Sequence, residues 1–153
     1  MKNVFKKITL SVIVILTLLS TTESSAQSGF KLATNYEQYV NLYKNPKVKI
    51  ARTAEQFSQM AKTNSKLKAI FDTKTLKAFM SSLKMSGNGL VTFSYDSIKT
   101  KFPENYKAQV DIVLAAFGFG PIDSLPVDYD GYYCESAGTC SKRIGSICIG
   151  DNC

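Results

Sequence analysis

Residues 131–153 read GYYCESAGTCSKRIGSICIGDNC, and every cysteine of the chain (Cys134, Cys140, Cys148 and Cys153) falls inside them. Whether this stretch is an appendage or part of a core decides the fold. Gly131, Gly138, Gly145 and Gly150 supply flexible corners, and twenty-odd residues are too few to build a core of their own. On those grounds the stretch reads as a Gly-rich tail ordered by disulfides, each worth about 2–4 kcal/mol through restriction of the unfolded chain. The cysteines are separated by five, seven and four residues, and four cysteines allow three pairings, among which the spacing does not choose.

Disulfides require an oxidising compartment, and the opposite end of the chain supplies a route to one. MKNVFKK places Lys2, Lys6 and Lys7 before an apolar run from Ile8 to Leu19, which gives way to the small polar residues around Ser24 and Ala26. That order is the pattern of a secretory signal, with cleavage expected after Ala26 and before Gln27. The apolar run falls short of the roughly 20 residues that span a bilayer, so no transmembrane segment is expected once the signal is removed. The expected localisation is secreted, either periplasmic or extracellular.

Just before the tail, GFGPIDSLPVDYDGYY carries Gly118, Gly120, Pro121, Pro126 and Gly131 together with Asp123, Asp128 and Asp130. This composition is that of turns and linkers. The expected organisation is therefore a signal peptide over 1–26, a basic helical domain over 27–118, a linker over 119–130 and a Cys-rich tail over 131–153.

Within 27–118 the apolar residues recur at helical spacing. Thr34-Asn35-Tyr36-Glu37 predicts a capping box, followed by Tyr36, Tyr39, Val40 and Tyr43 on one face and a stop at Asn45-Pro46. Thr53 with Gln56 predicts a second capped helix bearing Phe57, Met60 and Ala61. A short helix over Leu67, Ile70 and Phe71 follows, and Asp72 or Thr73 caps a helix bearing Leu76, Phe79, Met80 and Leu83. Asp96 is placed to cap a further short helix, and Pro103 to open a last one with Tyr106, Val110, Val113, Leu114 and Phe117 before Gly118. Between these, LVTFSY alternates over 90–95 and reads as one short strand, for which no second convincing strand is evident. The expected fold class is mainly α: a small multi-helix domain with one short strand, followed by the tail.

The charge is unevenly distributed. After residue 26 there are 16 basic and 11 acidic residues; 13 of the basic ones against 4 acidic lie in 27–101, and 3 against 7 lie in 102–153. Such a basic half suits anionic cell-surface or membrane components or an acidic protein partner, although lysines spaced along solvated helix faces give the same composition. Nucleic acid is not expected for an exported chain without a recognition motif.

Catalytic chemistry has little to draw on. The chain contains no histidine, which removes Ser-His and Cys-His nucleophiles, and it has no phosphate-binding Gly-rich loop. Paired Cys-x-x-Cys spacing, which zinc and thiol exchange both favour, is missing. Asp128-Tyr129-Asp130-Gly131 has only a fragment of a calcium loop and reads as a turn. Carboxylate chemistry at Asp128 and Asp130 is the remaining enzymatic reading. No enzyme activity and no cofactor are expected.

The layout of export signal, small helical region, Gly/Pro/Asp linker and Cys-rich end resembles that of the bacteriocin fulvocin C-related secreted proteins, whose tails carry more cysteines than the four here. The resemblance implies that Cys134, Cys140, Cys148 and Cys153 form a disulfide-bonded effector peptide and that the helices act as its carrier. The expected function is thus a secreted, non-catalytic interaction protein of bacteriocin-like type. The alternative is a periplasmic or extracellular binding module in which Tyr36, Tyr39, Tyr43, Phe93 and Tyr95 line an aromatic groove and the tail is purely structural.

Overall fold

Six α-helices and four strands are formed by the residues that the computed structural model describes, 31–126 and 129–153. The expected export signal, its cleavage site and Asp128 lie outside them. Helices α1 (Tyr36–Lys44), α2 (Ala54–Thr63), α3 (Ser65–Ile70) and α4 (Thr73–Ser82) lead into a hairpin of β1 (Lys84–Ser86) and β2 (Gly89–Ser94). Helices α5 (Asp96–Lys101) and α6 (Tyr106–Phe117) follow, then a 3-10 turn over Ile122–Ser124, β3 (Asp130–Ser136), β4 (Thr139–Cys148) and a last 3-10 turn over Gly150–Asn152.

The mainly α reading with an appended tail is overturned. Strands β1, β2, β4 and β3 form, in that order, one antiparallel sheet, so the fold is mixed α/β. The Cys-rich stretch supplies two of the four strands, and β4 lies inside the sheet, with Thr92, Phe93 and Ser94 of β2 paired to Cys148, Ile147 and Ser146. Ile147 and Ile149 are fully buried in the same hydrophobic cluster as Phe57, Phe79, Phe93 and Phe117. The stretch read as a linker contributes Phe119, Ile122, Leu125 and Tyr129 to that cluster. A short stretch without a core of its own is here ordered by the core of another segment.

The helix reading fares better. Thr53, Asn64 and Asp72 cap α2, α3 and α4 by accepting backbone N–H bonds, and Gly118 closes α6 in the left-handed conformation at φ 97°. At α1 the cap shifts by one residue: Asn35 accepts the N–H of Gln38, while the Gln38 amide oxygen accepts the N–H of Thr34. Asn35 outcompetes Thr34 because Asn is the stronger capping residue. Asp96 is the first residue of α5 and does not cap it.

The core is rich in rings. Phe57 stacks on Phe117 at 4.8 Å between centroids and lies 5.0 Å from Phe79, which in turn lies 5.2 Å from Phe93. Helices α2, α4 and α6 thereby pack on one face of β2. Tyr39 stacks on Phe119 at 4.2 Å, and its hydroxyl oxygen accepts the N–H of Leu90 at 2.9 Å. Gly89 is required at this contact, since a Cβ there would overlap the Tyr39 hydroxyl and its φ is 109°. The C-terminus is pinned to the same place: the Asn152 amide donates to the carbonyls of Leu90 (2.7 Å) and Asn88 (3.3 Å) and accepts from the Tyr36 hydroxyl at 2.9 Å.

Candidate functional site

An open groove of about 950 Å³ runs between the loop 45–50, α2, the start of α3 and the outer side of α6. It lies near the upper end of the roughly 300–1,000 Å³ typical of small-molecule sites. Its position follows from helical geometry. Val110, Val113, Leu114 and Phe117 turn α6 inward, which leaves Ile112 and Ala115 half-buried on the side that meets Met60 of α2. Ile50, Leu67 and Ala116 lie beneath them in the core.

The rim is basic. Lys47 and Lys49 project from the loop and Lys66 from the first turn of α3, all three exposed and without an ion-pair partner among the described residues. Arg52 holds the loop in place. Its guanidinium donates to the carbonyls of Tyr43 (2.9 Å), Asn45 (2.6 Å), Val48 (3.1 Å) and Ile50 (3.4 Å). The N–H of Ala51 donates to the carbonyl of Ala116 at 2.7 Å and ties the loop to the end of α6. The acid lining the groove, Glu55, stands in the first turn of α2, where its own amide and the Thr53 hydroxyl hold its carboxyl below the usual range. The carboxylate therefore stays ionised, and the groove carries this one negative charge against its three lysines.

Several acids elsewhere accept hydrogen bonds. Asp130 accepts from the Tyr95 hydroxyl at 2.8 Å, Asp151 from the Tyr129 hydroxyl at 3.1 Å, and Asp111 from the amide of Ile122 at 2.8 Å. Burial, reinforced by the bond to Asp130, pushes the Tyr95 phenol well above its usual value. Among the described residues two ion pairs form, Lys101–Asp72 and Lys107–Asp123, both at 2.8 Å. The acidic C-terminal third thus neutralises little of the basic half. A second, smaller depression on the other side of α2 and α3 carries Lys62, Lys68 and Lys77.

The aromatic residues expected to line a binding groove do something else. Tyr39, Phe93 and Tyr95 are buried, and Tyr36 and Tyr43 pack against the same core. Burial pushes the Tyr39 phenol up to about 12. No local signal marks Ile112 and Ala115 as groove residues, because their place is set by the non-local packing of α6 beside α2.

The four cysteines converge beneath the hairpin of β3 and β4. Cys134 bonds to Cys153 and Cys140 to Cys148, which resolves the three pairings left open by the spacing. The sulfurs of Cys134, Cys148 and Cys153 lie within 4.8 Å of one another and, with Val91, form a small second cluster on the other face of β2. With all four sulfurs in disulfides, the cluster offers no thiolate to a metal. On the outside of this hairpin Tyr133 lies between two cations, Lys84 at 4.7 Å and Arg143 at 4.6 Å, and the neighbouring Ile144 is 76 % exposed.

Searches of protein-family models, of curated proteins and of solved structures with this chain each found no match. Among the described residues no helix is long and apolar enough to cross a membrane.

Proposed function

We propose that this is an exported, non-catalytic binding protein that acts as an intact domain and holds anionic components of the cell envelope through the lysine-rimmed groove. The observation that carries the reading is the set of Lys47, Lys49 and Lys66, which form no ion pair among the described residues and outnumber Glu55, the acid lining the groove, over an apolar floor. Export is supported by the signal-like start and by two disulfides, which persist where thiols are oxidised. Action as an intact domain is supported by β4: a segment buried at the centre of a sheet is not readily released as a free peptide.

The test is equilibrium binding of the protein purified after export to phosphatidylglycerol and to phosphatidylcholine vesicles. Binding to the anionic vesicles alone is expected. Each lysine near such a surface is worth about 1 kcal/mol, so K47E/K49E/K66E should bind roughly a hundredfold more weakly or worse. Equal binding by that variant, or none by the parent protein, would overturn the proposal.

A second reading is favoured by the hairpin surface, where Arg143 lies over the half-buried Tyr133 ring beside the exposed Ile144. In this reading the hairpin, still attached, is the effector surface of a bacteriocin-like protein of the fulvocin C-related type. It requires that I144E or R143E abolish an effect of the exported protein on susceptible cells.

A further inference from the structure

We infer that the groove takes a single-chain anionic amphiphile: one apolar chain laid over Met60, Ile112 and Ala115, with its terminal carboxylate or phosphate among Lys47, Lys49 and Lys66. The inference rests on the groove being the ligand site and names the class of ligand. Each half of the site selects against a simpler occupant. A soluble polyanion would use the lysines and leave the recessed floor wet. A neutral apolar molecule would fill the floor and leave the lysines without a counter-charge. Only a ligand with both features in one molecule uses the whole site. Lysine suits this arrangement because its methylene stem covers apolar surface while the ammonium stays at the rim. An ammonium is a point charge, so it accepts either head group without a bidentate preference.

The test is calorimetric titration of the exported protein with octanoate, decanoate and dodecanoate below their micellar concentrations, alongside dodecyl phosphate and neutral dodecyl maltoside. One molecule per chain is expected to bind, with affinity rising about two- to fourfold per added methylene as apolar surface is buried. Dodecyl phosphate separates the two head-group sources: binding comparable to dodecanoate is expected, and the maltoside should not compete. Filling the floor with Ala115→Phe should remove dodecanoate binding while circular dichroism remains that of the parent protein. If that variant does not fold, the chain-length series on the parent protein decides alone. An affinity independent of chain length, or unchanged in a folded A115F, would overturn the inference. Vesicle binding without dodecanoate binding would sink the amphiphile and leave the proposed function standing, whereas loss of both would sink both.

Discussion

Arg52 shows how much one side chain can organise. It follows a run read only as a helix stop, yet its guanidinium gathers the carbonyls of Tyr43, Asn45, Val48 and Ile50, which belong to the segment that presents Lys47 and Lys49. A planar fork reaches several acceptors at once, and the three donors on a lysine ammonium radiate from a single atom. Replacing Arg52 by Met would remove a charged donor from these carbonyls, of which Asn45 and Val48 keep a backbone N–H, with a cost of about 1.5–3 kcal/mol expected for bonds to a charged donor. Urea unfolding of R52M should show that loss, and R52K should recover only part of it. Full recovery in R52K would mean that charge, not the fork, holds the loop. No motif marks such a residue in sequence, because its partners are backbone atoms.

At the scale of elements, the helices were legible and the sheet was not. Caps at Thr53 and Asp72 and the three-four spacing after each are local signals, complete within about ten residues. The strands carry no such signal. In β4, Thr139 to Ile144 are exposed or half-exposed and Gly145 to Cys148 fully buried, so neither half alternates. Its partner β2 is some 50 residues away, and β2 is buried on both faces, by helices on one and by the disulfides on the other. The disulfides therefore act as core for a strand and not as staples for a tail. Cys134–Cys153 spans 19 residues and Cys140–Cys148 spans 8. Loop entropy gives about 3.2 and 2.5 kcal/mol for loops of those lengths. C134A/C153A should consequently be the less stable double variant in thermal unfolding, helped by the release of Asn152 from Leu90. The reverse order would show that the small loop between β3 and β4 contributes more than its length predicts.

For the whole molecule, the decisive question is whether the helical part can exist without residues 131–153. A carrier with a detachable peptide requires that it can. The geometry argues otherwise: removing those residues deletes β4, strips β2 of its inner partner and leaves Phe93 and Leu90 facing the space of Ile147 and Ile149. Truncating a buried Ile to Ala alone costs about 2–5 kcal/mol, and whole domains are stable by only about 5–15 kcal/mol. Loss of two such side chains, about 4–10 kcal/mol, together with a strand and both disulfides is as large as that margin. A chain ending at Asp130 should thus lack a cooperative thermal transition and lose the near-ultraviolet dichroism of its packed aromatic rings, although far-ultraviolet signal from α2, α4 and α6 persists in part. The same chain co-expressed with a separate 131–153 segment is the informative control. Recovery of the transition on adding the segment would show that it works as a missing strand. A truncated chain that melts cooperatively unaided would instead restore the carrier and its releasable peptide as separate bodies.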